Sequence, residues 1–162
     1  MSNNTLQVGI AELKVGKAPQ KITTIGLGSC VGVTLYDPSS KIGGMVHIML
    51  PNSKEIKNND NAAKFADTGV PKLVQEVLKK GANKNHLVAK IAGGAQMFNL
   101  ATGNNALRIG DRNIIAVKEV LRNLNIPIKA NDTGQNYGRT IILDLETGGV
   151  LVRTIGKGEK QI

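Results

Sequence analysis

The chain has 162 residues, 41% of them hydrophobic, 20% charged and only 2% aromatic, with a net charge of +9. That size fits one domain with a real core and argues against two, and a single cysteine excludes an internal disulfide framework. The positive charge calls for an acidic partner. So few rings leave little to stack on bases, and lysines scattered through "KITT", "LKKGANKNH", "VKEVLRN" and "GKGEK" form no basic helix, so nucleic-acid binding is disfavoured.

The opening residues, "MSNNTLQVGIAELKVG", show no basic region followed by an apolar run, and no stretch approaches a membrane span. A cytoplasmic protein with no membrane insertion is expected. From Ile22 to Leu50 the chain reads as two strands around the turn "DPSS". Residues 51–69 form a polar excursion of the kind that borders active sites. Val70, Leu73, Val74, Val77 and Leu78 then make one apolar helical stripe, with Pro71 suited to a first turn and Gly81 to a C-terminal cap. "HLVAKIA" reads as a short strand that ends at Gly93-Gly94.

A second helix is expected from about Asp111, capped by its carboxylate, with Ile114, Val117, Leu121 and Leu124 facing inward. Strands follow at 126–130, 140–145 and 150–155, the last two joined by "ETGG". Strands in runs with two helices among them predict an α+β fold: a single domain over residues 1–162, with mixed and antiparallel sheet layers and two main helices.

The hairpin around "DPSS" holds the chain's lone cysteine, Cys30, and one of its two histidines, His47. If Asp37 faces Ser40, Cys30 falls directly opposite His47, and opposed Cβ atoms lie about 4.5–5.5 Å apart. The same register gathers Val31, Val33 and Leu35 with Ile42, Val46 and Ile48 on one face, and Cys30, Gly32 and Thr34 with Gly43, Met45 and His47 on the other. Gly32 and Gly43 would leave room for a substrate groove. An imidazole beside a thiol can take its proton and later give one to a leaving amine, which suits attack on an amide or ester carbonyl.

Backbone N–H groups of the "GLGSC" segment, Gly28 and Ser29 included, could hold the oxyanion. Thr24 shares the parity of Cys30, but along a straight strand it would lie roughly 20 Å away. A bend at Gly26 or Gly28 would have to bring it back. Read from these residues alone, a buried structural cysteine competes on nearly even terms with a reactive one. His86 reads as a surface residue. "GLGS" is too loose for a phosphate loop, and the two histidines and one cysteine lack zinc spacing, so no cofactor or metal is expected. Phe98 is a candidate contact in a glycine-rich loop, with core packing as the alternative.

These residues together resemble the CheD family, bacterial chemoreceptor glutamine deamidases, along most of the chain. The matching pieces are "TIGLGSCVGV", "GGMVHIMLP", "KFADT", "KIAGGAQMF", "IGDRN" and "NDTGQNYGRT", in the family's order. The 17-residue spacing from Cys30 to His47 agrees, and so does the threonine six before the cysteine. The resemblance implies that Cys30 is the nucleophile, His47 the general base and acid, and Thr24 the third member of a triad. It implies conversion of receptor glutamines to glutamates in chemotaxis adaptation, with methyl esters as a suggested second substrate. It implies two partners, chemoreceptor cytoplasmic domains as substrate and a CheC-type phosphatase as regulator. It also implies a fold similar to the catalytic domain of cytotoxic necrotizing factor toxins. The acidic receptor bundle would give the positive charge a use.

The chain departs from the family at Asn131 and Gln135, where "EDTGGN" is more usual, and at Asp111, where "IGARN" is. A regulatory binding module with weak catalysis is the main alternative. A cysteine protease would need an extended cleft for a peptide backbone, and a nucleic-acid-binding domain would show steeply salt-dependent binding to DNA or RNA.

Overall fold

The computed structural model describes residues 4–97 and 108–162. Phe98 therefore lies outside the described residues. Among the described residues, ten strands and two α-helices run β1 Thr5–Gln7, β2 Leu13–Lys17, β3 Lys21–Leu27, β4 Val31–Asp37, β5 Ile42–Ile48, α1 Ala66–Lys80, β6 Val88–Gly93, α2 Ile109–Asn123, β7 Ile128–Thr133, β8 Arg139–Asp144, β9 Val150–Thr154 and β10 Gly158–Gln161. They form two five-stranded sheets, ordered β2-β5-β4-β6-β7 and β1-β3-β8-β9-β10. Each sheet is mixed, because β6–β7 and β1–β3 pair in parallel while the other neighbours are antiparallel. The expected α+β layers with two main helices are present.

The sheet that holds β4 and β5 is the middle layer. One of its faces, with Val31, Val33, Leu35, Val46, Ile48 and Ile91, packs against Val70, Leu73, Val74 and Val77 of α1 and Val117 and Leu121 of α2. Its other face, with Tyr36, Met45 and Ala92, meets Ile22, Leu27, Ile141, Leu143, Val150 and Val152 of the second sheet. β4 and β5 are buried at every position as a result. The nearly unbroken apolar run through both strands is the signature of a sheet covered on two sides.

The structure differs from the sequence reading in four places. The stretch from Ile22 to Leu50 is three strands, because the chain leaves one sheet after Leu27, bends through 28–30 and enters the other at Val31. The crossing is prepared by a bulge between Thr24 and Leu27, where Gly26 takes φ 74°, a conformation that favours glycine.

The hairpin closes two residues later than expected: Asp37 pairs with Ile42, and His47 pairs with Gly32 rather than Cys30. The cause is the buried Asp37 carboxylate, which accepts hydrogen bonds from Ser39 N (2.8 Å), Ser39 Oγ (2.6 Å) and Ser40 Oγ (2.9 Å) and so draws both serines into the loop. Lys41, at φ 57°, returns the chain to β5 and donates its N–H to Asp37 O.

Helix α1 begins at Ala66, which puts Pro71 at its sixth position instead of in its first turn. Asp67 anchors that start by accepting from Ser53 N and Ser53 Oγ. Gly81 caps the helix as expected, at φ 124°. α2 starts at Ile109, so Asp111 sits inside the first turn and does not cap it.

Candidate active site

The change of sheet at 28–30 brings together what the sequence separates. β3 lies across the sandwich from β5, and Thr24 there reaches His47: Thr24 Oγ1 and His47 Nδ1 are 2.7 Å apart. Both side chains are fully buried. Thr24 Oγ1 also donates to Val8 O at 2.7 Å. A hydroxyl has one hydrogen, so with that hydrogen on Val8 it can only accept from the ring. His47 Nδ1 must therefore carry the ring proton, and Nε2 keeps its lone pair. Nε2 is buried and has no hydrogen-bond partner among the described residues. The backbone of His47 is fixed as well, donating to Glu12 O (3.0 Å) and accepting from Ala11 N (3.1 Å).

Cys30 stands one residue before β4, half-buried against the cluster between the sheets. The two-residue shift in register leaves it on the face of His47, because side chains alternate with period two. It makes the pair diagonal, a relation that separates Cβ atoms by about 7–8 Å in a regular ladder. No hydrogen bond joins the thiol to the ring. Burial pushes the Cys30 thiol up and the His47 imidazole down from their ordinary values. Both groups are neutral at rest, and the thiol does not stand as a preformed thiolate.

Gly28 and Ser29 lie in the bend whose carbonyls are held from one side. Gly28 O accepts from Ala95 N (2.9 Å), Cys30 O from Gly94 N (2.8 Å) and Ser29 O from Asn113 Nδ2 (3.0 Å). In a planar trans peptide the N–H points away from the carbonyl of the same unit. Pinning Gly28 O and Ser29 O thus turns the N–H groups of Ser29 and Cys30 the opposite way, and no hydrogen bond among the described residues engages them. Position 93 must be glycine for this packing: its φ is 106°, and a Cβ there would lie 2.3 Å from Cys30 O.

Gly32 and Gly43 do not open a groove. A Cβ at Gly32 would meet Ile141 Cδ1 at 2.8 Å, and one at Gly43 would meet Leu35 O at 2.4 Å and Leu145 Cδ2 at 2.9 Å. They admit the second sheet. The cavity beside the bend, about 40 Å³, is instead lined by Ser29, Ala95, Met97, Arg108 and Gly110. A larger hollow of about 420 Å³, between Asn52 and Arg112 and Glu119 of α2, touches none of Thr24, Cys30 and His47. His86 is half-exposed, with Nδ1 at 2.8 Å from Ser39 Oγ and 3.6 Å from the Asp37 carboxylate; it belongs to the hairpin turn.

Two supports of the site escape a reading by apolar stripes. Asn113, fully buried on α2, donates to both Ser29 O and Met49 O. It shares its helix face with Gly110, Val117 and Leu121, so a polar residue within an apolar stripe was the available signal. The "NDTGQNYGRT" loop, whose plain reading is turn geometry, packs beside the bend: Gly134 N donates to Gly93 O and Gln96 N to Gln135 O, both at 2.9 Å. Buried Arg139 fastens that loop through Asp132 (3.3 Å) and Gly134 O (2.9 Å). No group of three or more histidine, cysteine or acidic side chains that could hold a metal occurs among the described residues.

Fold and site together define a class: a layered α+β protein with one cysteine on a pinned, sheet-crossing bend and a buried Thr–His pair on the same face. The comparisons with known proteins are more specific. A family model described as "CheD chemotactic sensory transduction" matches residues 49–154. A protein of Lachnoclostridium phytofermentans named "Probable chemoreceptor glutamine deamidase CheD" is 56% identical over 157 residues, 97% of this chain and 98% of its own. One of the same name from Caldanaerobacter subterraneus is 56% identical over 162 residues, the whole of both chains. Another from Clostridium botulinum is 51% identical over the same full length.

This chain belongs to the CheD family. The full-length relatives extend the match over Thr24, Cys30 and His47, which precede the segment matched by the family model. Among solved structures, the Bacillus licheniformis hypothetical protein YfiH is similar at a TM-score of 0.49 and 13% identity, covering 76% of this chain and 51% of that one.

Proposed function

We propose that this protein is a glutamine deamidase that acts on chemoreceptors, with residues 1–162 as one catalytic domain working in the cytoplasm. Cys30 is the nucleophile, His47 the base and then the acid, and Thr24 the group that orients the ring. The single observation that carries the chemistry is the relay from His47 Nδ1–H to Thr24 Oγ1 to Val8 O, which leaves Nε2 as the free base. His47 Nε2 takes the proton of Cys30 as the sulfur forms a bond to the glutamine carbonyl carbon. The oxyanion is met by the N–H groups of Ser29 and Cys30 in the bend that Gly28 opens.

His47 then gives its proton to the amide nitrogen, the C–N bond breaks and ammonia leaves a thioester. Water attacks that thioester, again passing a proton to Nε2. The sulfur departs and recovers its proton, and the product is glutamate. Neutral thiol and neutral imidazole at rest suit this sequence, because the ring begins as a base.

The net charge of +9 suits docking on an acidic receptor bundle and binding by a CheC-type phosphatase as regulator. The test is incubation with purified receptor cytoplasmic domains followed by peptide mass spectrometry. Conversion of particular glutamines to glutamates is the expected result. Chain cleavage, or binding without conversion, would refute it, and loss of receptor methyl esters would add the second substrate.

A further inference from the structure

Asn113 stands out among the buried polar groups because one amide serves two segments of the site. Its Nδ2 lies 3.0 Å from Ser29 O and 3.1 Å from Met49 O. Both partners are carbonyls and can only accept, so the NH2 end must face them and both of its hydrogens are used. Ser29 adjoins Cys30, and Met49 follows His47 by two positions in the chain. Oδ1 of the same amide is buried without a partner among the described residues. An orphaned buried acceptor is a cost that an apolar side chain would avoid, so packing alone does not account for an amide here. α2 can come this close because position 110 is glycine: a Cβ there would lie 2.5 Å from Ala95 O and 2.6 Å from Gly94 O.

We infer that Asn113 is a positioning residue that sets the separation of Cys30 from His47 by clamping the chain next to each. This rests on the reading of Cys30 and His47 as a reactive pair. The thiol and the ring are not hydrogen-bonded at rest, so proton transfer depends on how closely their two segments are held. Without the amide, β4 and β5 stay paired through Val31–Ile48 and Gly32–His47, but the bend before Val31 and the chain after Ile48 lose the tie that extends that pairing to Ser29 and Met49.

The experiment measures alkylation of Cys30 by iodoacetamide across pH, together with kcat and KM on a receptor fragment, for wild type, His47→Ala, Asn113→Ala, Asn113→Asp and the double variant His47→Ala/Asn113→Ala. Asn113→Ala should fold, lose about 100-fold in kcat with KM unchanged, and alkylate with the pH profile of His47→Ala. Adding Asn113→Ala to His47→Ala should cost nothing further, since the amide acts through the pair. In Asn113→Asp the neutral acid can donate to one carbonyl and the carboxylate to neither. Its activity should therefore fall as pH rises, where that of the wild type climbs.

If His47→Ala turns over the receptor fragment as fast as wild type, the reactive pair itself is wrong. If they differ but folded Asn113→Ala behaves as wild type, the clamp alone is overturned. Failure of both Asn113 variants to fold would also overturn it, because the amide would then serve the core and not the site.

Discussion

Replacing Thr24 by valine exchanges a hydroxyl for a methyl group of nearly equal volume at a fully buried position. Two hydrogen bonds of 2.7 Å disappear, one to Val8 O and one from His47 Nδ1. Each leaves a buried polar group unpaired, at about 1–3 kcal/mol apiece, so the variant should lose about 2–6 kcal/mol of stability. Freed from its acceptor, the ring can turn and can place its proton on Nε2, where it no longer serves as a base. A drop of about 100-fold in turnover follows.

Thr24→Ser keeps the hydroxyl and removes one methyl group, which should cost about 1 kcal/mol and little activity. Urea denaturation reads the first effect and ammonia release from a receptor fragment the second. Nitrogen NMR of His47 reads the tautomer directly: a proton on Nδ1 in the wild type and the serine variant, and a mixture in the valine variant. A wild-type ring protonated on Nε2, or a valine variant with wild-type turnover, would refute the relay.

Other outcomes follow from the same geometry. Iodoacetamide should label Cys30 slowly at neutral pH and faster as pH rises, with an inflection above the ordinary thiol value of 9.0, because burial raises it; fast labelling that is flat with pH would mark a preformed thiolate. Burial lowers the His47 value below 6.5, so the unfolded chain binds more protons than the folded one below that pH. The stability linked to the neutral ring is complete above pH 6.5 and is lost as pH falls, which urea midpoints at neutral and mildly acid pH would measure.

Burial pushes the Asp37 carboxyl up, but hydrogen bonds from Ser39, Asn83 and Ser40 outweigh it and hold the group well below the usual carboxylate range. Asp37→Asn turns an NH2 group toward those donors and should cost about 2–3 kcal/mol in a urea titration. Gln135 sits at φ 63°, a conformation that favours glycine. Gln135→Gly should raise stability by up to about 1 kcal/mol in thermal denaturation.

The parts of this fold legible in the sequence are those that depend on periodicity. Alternation along β4 and β5 assigns every side chain to the correct face, and it does so despite the misjudged register, since a shift of two residues conserves parity. The register itself was hidden in the Asp37 carboxylate, whose bonds to Ser39 and Ser40 lengthen the turn. The passage of the chain between sheets at 28–30 leaves no break in an apolar, glycine-rich run, so Thr24 seemed distant from His47 until β3 was seen across the sandwich. Asn113 shows the reverse case. Its burial was marked by spacing, while its partners, Ser29 and Met49, come from the far side of the fold and have no local signature.

The central claim is that the thiol of Cys30 attacks a receptor glutamine. It is tested most directly by the rate of glutamine-to-glutamate conversion on a receptor fragment, measured by peptide mass spectrometry with a folded Cys30→Ala variant beside the wild type. The account predicts conversion by the wild type and none by the variant, with unchanged binding of the fragment. Conversion by Cys30→Ala at the wild-type rate would contradict it.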